Sequence, residues 1–378
     1  MTDSLPTVWE ADPHTLIKHA ILREYLNRWL PILTRQARKV GGQSREILFV
    51  DGFAGPGEYK GGEPGSPVIA LNAAIGHAVS FPAPVRMLFI EQRADRFERL
   101  ERVIAPLLQT ASSSQNIRAV EPRQGDCDSI LNEMLASFEQ RHIKFGPALA
   151  FLDQFGYGAV SMDLIKRILS FPQCEVFTYL DYKDMNRWIT DPHKADAFTR
   201  AFGGEEWREC VALPEKQRRD RLLTLYKTAL KNRAGTKYVI SFLMYDKNNL
   251  PLYWLLFCTN HIRGIEEMKK AMWKVDETGE FRFSDRDDPD QLALLSVAFD
   301  DAWLGDELIH RQNGRTMTVA EVYEYVLVET PCYLFKGALR RIEGNGMTVV
   351  EAPVGRKPKT YPDEHRSAIK VKFAIKLF

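Results

Sequence analysis

Two periodicities divide the chain. From about His14 to Arg38, the apolar residues Leu16, Ile17, Ala20, Ile21, Tyr25, Trp29 and Ile32 recur at helical spacing among Lys, Arg and Glu. That is the pattern of an amphipathic helix, with Pro31 expected to kink or divide it. The period then changes. Glu46–Val50 is a short, nearly continuous apolar run between Ser44 and a group of glycines, as in a strand buried on both faces of a parallel sheet. Similar runs stand at Val85–Ile90, Ala148–Leu152, Glu175–Leu180, Tyr238–Met244 and Leu252–Cys258. Helical patterns fill the gaps at Pro67–His77, Ala94–Leu108, Cys127–Glu139, Ser161–Ser170 and Ile265–Val275. Strand and helix in alternation predict an α/β, doubly wound sheet.

The last two runs are joined only by Tyr245–Pro251. A parallel crossover takes about a dozen residues or more, so these runs are expected to form an antiparallel hairpin at one end of the sheet. Asp181–Ala234 is charged and helical in pattern, with its basic density highest at Lys216–Arg221; it reads as a helical insertion over the strand ends. The acidic, loop-rich stretch Glu277–Asp290 marks a boundary, giving domains at 1–290 and 291–378.

The C-terminal stretch has its own order. Thr316–Val319 leads a helix through Tyr325 or Val328, and Pro331 begins another that reaches Ile342 and ends at Gly344–Gly346. Met347–Glu351 alternates as a strand, and Gly355–Lys359 forms a basic turn before a closing strand within Ala368–Leu377. Helix, helix, strand, basic loop, strand is a winged-helix-like pattern. From Pro331 onward basic side chains outnumber acidic ones ten to four, a local net of +6. Such an excess is the electrostatic footprint of phosphate contacts, with Arg356, Lys357 and Lys359 as the expected nucleic-acid contacts. A protein-association module with a solvated basic face fits the same pattern.

Composition narrows the class. Over 378 residues, 51 Lys and Arg balance 50 Asp and Glu, so any preference for a polyanion is local. No apolar run approaches the roughly 20 residues that span a bilayer, and Met1–Pro6 has neither a basic nor an apolar region of a secretory leader. A cytoplasmic protein with no membrane partner is expected. Five widely spaced cysteines with no C-x-x-C pair argue against a disulfide scaffold or zinc ribbon, and no metal site is expected.

The strongest chemical signal is Asp51-Gly52-Phe53-Ala54-Gly55-Pro56-Gly57, directly after the first sheet strand. Glycines 52, 55 and 57 let backbone turn sharply and approach a nucleotide-type ligand, while Asp51 ends the strand where a carboxylate meets a cationic or hydroxylated group. No G-K-[S/T] follows, which excludes a phosphate-binding P-loop. The third glycine is out of register for G-x-G-x-x-G, which disfavours a dinucleotide fold. Ser66-Pro67 reads as a helix cap followed by proline at the first helical position. Glu91, ending the second strand, is placed to accept ribose hydroxyls, and Asp126 to accept an adenine amino group. The fourth strand runs into Asp153-Gln154-Phe155-Gly156-Tyr157. A carboxylate followed by an aromatic suits transfer to an exocyclic amino group: Asp153 holds the amine and Phe155 stacks on the base, with Gln154 and Tyr157 alongside the substrate. Asn186 and Arg187, after the fifth strand, are either substrate contacts or part of a structural Arg–Asp pairing.

At these residues the chain resembles a known family. Lys18–Leu26, Asp51–Gly57 with Gly65-Ser66-Pro67, Asp153–Gly156 with Leu164–Ile168, then Asn186-Arg187 and Phe202-Gly203 with Trp207 stand in order. Together they look like the three-Cys-motif partner family of class I S-adenosylmethionine-dependent methyltransferases, over roughly residues 8–275. The resemblance implies a Rossmann-like methyltransferase sheet ending in an antiparallel hairpin, with S-adenosylmethionine at Gly52–Gly57 and Glu91. The three-cysteine motif belongs to a separate protein, a possible partner. Where the family carries proline after the motif-four aspartate, this chain has Gln154. Phe-Ala-Gly-x-Gly also occurs in cytosine-C5 methyltransferases, but their Pro-Cys nucleophile has no counterpart after the fourth strand here. The expected function is methylation of an amino group on a nucleic-acid base, RNA before DNA. The alternative is a binding or scaffold protein of the same fold that recruits a three-Cys-motif radical enzyme or nucleic acid.

Overall fold

A computed structural model of the chain describes residues 6–37, 46–77, 80–141, 146–154, 156–246, 248, 250–276, 282–284 and 299–374. The chain divides into two compact units, Met1–Ala271 with Arg282–Arg286 and Met272–Phe281 with Asp287–Phe378. Apart from 282–284, the expected boundary loop at 277–290 lies outside the described residues.

In the first unit the order is α1 (Pro13–Ala37), β1 (Ile47–Asp51), α2 (Ser66–Ile75), β2 (Val85–Glu91), α3 (Ala94–Ser113), β3 (Ile117–Gln124), α4 (Cys127–Gln140), β4 (Ala148–Leu152), α5 (Met162–Leu169) and β5 (Cys174–Asp181). The insertion follows as α6 (Tyr182–Trp188), α7 (Ala195–Phe202) and α8 (Glu215–Asn232), before β6 (Tyr238–Tyr245), β7 (Pro251–Thr259), α9 (Ile262–Val275, of which this unit holds the part up to Ala271) and the short β8 (Arg282–Ser284). The sheet runs β3-β2-β1-β4-β5-β7-β6-β8. Strands β1 to β5 are parallel, whereas β7 pairs antiparallel with both β5 and β6. The expected hairpin is therefore present, with its second strand inserted against β5. Strand order reverses between β1 and β4, and a crevice opens there, outside the carboxyl ends of the strands.

All five residues of β1 and of β4 are buried, as a strand covered by helices on both faces requires. Helix α1 runs unbroken through Pro31, so the predicted division is not there. The helix is anchored at the amino end of β5: Tyr25 Oη donates to Glu175 Oε2 at 2.6 Å and Thr259 Oγ1 to Glu175 Oε1 at 2.8 Å. Burial pushes the Glu175 carboxyl above its ordinary range. The insertion has an aromatic core of Phe198, Phe202, Trp207 and Tyr226. Within its basic run Lys216 and Arg221 are exposed, whereas Arg218 is tied down, donating to the carbonyls of Cys210, Val211 and Leu213 and to Asn186 Oδ1.

The second unit contains α10 (Asp301–Arg311), β9 (Thr316–Thr318), α11 (Val319–Glu329), α12 (Lys336–Ile342), β10 (Met347–Glu351) and β11 (Lys370–Phe373). Strands pair antiparallel in the order β10-β11-β9. A capping box between Thr318 and Glu321 starts α11, and Gly305 lets α10 approach α12, where a Cβ would stand 2.8 Å from Ile342 Cγ2. All five cysteines are buried free thiols. No described helix is long and apolar enough to cross a membrane.

Candidate active site

At the carboxyl edge of the sheet, backbone bonds tie the loops after β1 and β3 to the ends of β2 and β4. Gly52 N–H donates to the Phe151 carbonyl at 2.9 Å, Ala54 N–H to Ile90 at 2.8 Å and Gly125 N–H to Glu91 at 3.0 Å. Gly52 is required by packing, since a Cβ there would lie 2.5 Å from Cys127 Sγ and 2.9 Å from Leu152 Cδ2. Gly55, at φ +62°, faces the other way: its added Cβ would meet only the Trp9 ring, at 4.0 Å. The side that must stay open is thus the one toward the cleft.

The cleft there is lined by Phe53, Ala54, Gly55, Gly57 and Asp153 among the residues singled out from the sequence. Asp51 and Glu91 stand directly behind this wall. Phe53 N–H donates to Asp51 Oδ1 at 3.2 Å, while Oδ2 is buried with no hydrogen-bond partner. Burial pushes the Asp51 carboxyl up to about 7, against the pull of the Ser66 hydroxyl and the Phe53 amide; Asp153 and Glu91 add to the rise. Gly55 N–H donates to Glu91 Oε2 at 3.0 Å and Arg93 N–H to Oε1 at 2.8 Å, which leaves each oxygen a further lone pair. Ser66 does not cap α2 as expected. Gly65 holds the cap position, so the Ser66 side chain is available to Asp51.

Other expected residues are engaged differently. Asp126 caps α4, its Oδ1 accepting from Ser129 N–H at 2.9 Å and Ser129 Oγ at 2.8 Å; the Gly125–Glu91 bond places it beside the end of β2. Gln154 is turned inward: its Oε1 accepts from Val160 N–H at 2.9 Å, closing the loop after β4. That is a structural role rather than the substrate contact expected of it. Phe155 lies outside the described residues. Tyr157 packs on Phe198 with ring centroids 4.5 Å apart, which brings it under the insertion. Asn186 accepts from Arg218 Nη1 at 2.8 Å and so belongs to the insertion's internal bonding. Arg187 is exposed, its guanidinium 4.7 Å from the Trp188 ring centroid. In the second unit Arg356 is no free phosphate ligand: it pairs with Glu343 at 2.9 Å and lies over the Tyr361 ring, leaving exposed Lys357 and Lys359 to the turn.

The cleft also holds residues the sequence reading did not mark as chemical. Lys18, on α1, forms an ion pair with Asp153. Beside it His19 is buried, and its imidazole is pushed down to about 3 by burial and then by Lys18, so it is neutral at ordinary pH. Trp9 belongs to an extended N-terminal strap. Lys60 N–H donates to the Trp9 carbonyl at 2.8 Å, Thr7 Oγ1 to Asp95 at 2.5 Å, and the Arg96 guanidinium sits 4.4 Å from the Trp9 ring centroid. One signal was present: Lys18 occupies the buried stripe of α1 that continues through Leu22, Tyr25 and Trp29, where a polar residue needs a reason.

Among solved structures, an O-methyltransferase from Bacillus cereus in complex with SAH is similar over 66% of this chain and 82% of its own, at 12% identity and a TM-score of 0.33. A precorrin-6y C5,15-methyltransferase from Geobacter metallireducens is similar over 68% of this chain and 100% of its own, at 10% identity and a TM-score of 0.31. A likeness of that size carries no argument about chemistry. A scan against protein-family models finds no match, and neither does a comparison with curated proteins.

Proposed function

We propose that this chain is an S-adenosylmethionine-dependent methyltransferase of the class I type and, on the motifs named above, a three-Cys-motif partner protein. The observation that carries this reading is the switch-point cleft between β1 and β4: a glycine-lined wall with two buried carboxylates, Asp51 and Glu91, immediately behind it. Asp51 Oδ2 lacks a hydrogen-bond partner, and buried polar atoms rarely stay unpaired without a functional reason. A cationic, polyhydroxylated nucleoside fits that donor and acceptor set. Glu91 and Asp126 would hold the ribose and adenine ends, with Asp51 and the loop Gly52–Gly57 at the amino-acid end. When bound, S-adenosylmethionine supplies an electrophilic methyl group.

The chain's own work is alignment. Asp153, at the end of β4 and held by Lys18, would accept hydrogen bonds from an acceptor amino group and fix its lone pair toward the methyl. Positioning of this kind supplies much of a transfer barrier. The acceptor we favour is an amino group on a nucleic-acid base, RNA before DNA. Supporting it, we read the second unit's order α10-β9-α11-α12-β10-β11 as winged-helix-like, and exposed Arg340 and Arg341 on α12, Lys357 and Lys359 in the turn and Lys372 on β11 carry no ion pair among the described residues. Calorimetry with S-adenosylhomocysteine on the wild type and Asp51→Ala, followed by labelled-methyl incorporation into RNA, DNA and protein, tests the reading. Binding that Asp51→Ala weakens, with label in an RNA base, is expected. No affinity for the ligand overturns the assignment; affinity with no methyl transfer would favour the scaffold reading.

A further inference from the structure

We propose that Lys18 binds the carboxylate of the cofactor's amino-acid end, so that the cleft reads a zwitterion and not merely a nucleoside. This rests on the methyltransferase reading.

The argument is one of charge inventory. Among the described residues that line the cleft, Lys18 is the lone cation, because its neighbour His19 stays neutral. The other basic side chains around the rim are engaged: Lys60 with Glu10, Arg93 with Asp95, Arg96 over Trp9 and Arg99 with Glu58. Against this one ammonium the cleft sets Asp153 and the Arg99-paired Glu58 in its wall and Asp51 and Glu91 behind it. Those acids suit the sulfonium, the ammonium and the hydroxyls of the proposed cofactor. They repel its carboxylate, and only Lys18 answers it.

The ammonium is also incompletely used. The Lys18 side chain is 10% exposed, so its charge sits largely out of water, where each unmade bond is costly. It has three N–H donors. One donates to Asp153 Oδ2, and no other acceptor for it stands among the described residues. A buried cation with two donors turned to a cleft suits an anion that arrives with the ligand. The Lys18 backbone is suitably rigid, because α1 is anchored two turns further on by Tyr25 and Glu175. Lys18 would then touch both the cofactor carboxylate and Asp153, coupling cofactor occupancy to the group that orients the acceptor.

A purely structural Lys18, there only to neutralise Asp153, predicts something different, and a pair of ligands separates the two. Calorimetry would compare S-adenosylhomocysteine with its decarboxylated analogue, in which hydrogen replaces the carboxylate. The wild type is expected to prefer the carboxylated ligand by about tenfold to a hundredfold, the worth of one charge-assisted hydrogen bond. Lys18→Met should lose that preference by weakening the carboxylated ligand alone, Lys18→Arg should recover part of it, and Asp153→Asn should keep it. Retained affinity for the analogue also shows that Lys18→Met is folded. Equal weakening of both ligands in Lys18→Met, or no change in either, overturns the proposal. A wild type that binds neither ligand brings down the methyltransferase reading with it, and one that binds both equally defeats the Lys18 assignment alone.

Discussion

The unpaired carboxylate behind the glycine wall makes a quantitative demand on stability. Asp51 is fully buried, and its pKa rises from 3.8 to about 7. Between those values the folded chain holds a proton that the unfolded chain has released. The contribution of this group is therefore full below about pH 4 and is lost as pH rises through 7; above that the fold carries a buried charge. A rise of that size corresponds to about 4 kcal/mol over its full range. Asp51→Asn removes the titration with little change of shape. Its Oδ1 can still accept from Phe53 N–H, and an NH₂ stands where Oδ2 had no partner. Urea unfolding followed by circular dichroism from pH 5 to 8.5 should show the variant gaining on the wild type by about 3 kcal/mol across that window, the remainder of the loss falling below pH 5. His19 works in the opposite sense, since only the unfolded chain protonates as pH falls below about 6.5, but both proteins share it and it cancels in the difference. A stability difference that is flat with pH would refute the reasoning, because it would mean Asp51 is charged, or solvated, in the fold at every pH tested.

Three further outcomes are expected. Trp9→Ala, which removes the ring from beside Gly55 and from under Arg96, should weaken S-adenosylhomocysteine at least fivefold and speed its dissociation in stopped-flow, whereas Trp9→Phe should keep most of both. Arg356→Ala removes the cation from Glu343, which keeps its bonds from Tyr361 Oη and Lys359 N–H; thermal melts should show the second unit destabilised by about 1–3 kcal/mol, with ligand affinity in the first unit unchanged. If α12 and the basic turn contact RNA phosphates, Arg340→Ala combined with Lys357→Ala should reduce the logarithmic salt dependence of RNA binding by about 2, and an unaltered slope would remove that face from the interface.

How much of this was legible in the sequence depended on burial. Strands β1, β2, β4, β5 and β7 announce themselves because both of their faces are covered, which demands an apolar run, and β6 because its buried face, Tyr238, Ile240, Phe242 and Met244, alternates with a partly exposed one. β3 does not. It lies at the sheet edge, half-exposed, and its sequence Ile117-Arg118-Ala119-Val120-Glu121-Pro122-Arg123-Gln124 carries charges and a proline that an edge tolerates. The glycine loop and its two acids were readable because backbone conformation and strand-end position constrain residue type locally. Lys18 and Asp153 were not readable as a pair, since 135 residues separate them and only the closed sheet brings them together. Arg356 misled for a related reason: charge counts see the guanidinium and miss the Glu343 that captures it. Pro31 misled differently. The break it predicts is a local preference, and α1 continues through it as the helix packs against β5 and β7.

The anchor of α1 has a mechanical consequence. Tyr25 is seven residues from Lys18, about 10 Å along the axis at 1.5 Å per residue, so the helix works as a short lever pivoted on Glu175 at the far end of the sheet. Loosening the pivot tilts the arm, and the displacement is felt at the opposite tip. Changes to Tyr25, Glu175 or Thr259, made deep in the hydrophobic interior and nowhere near a ligand, should therefore register as altered cofactor affinity before they register as lost folding.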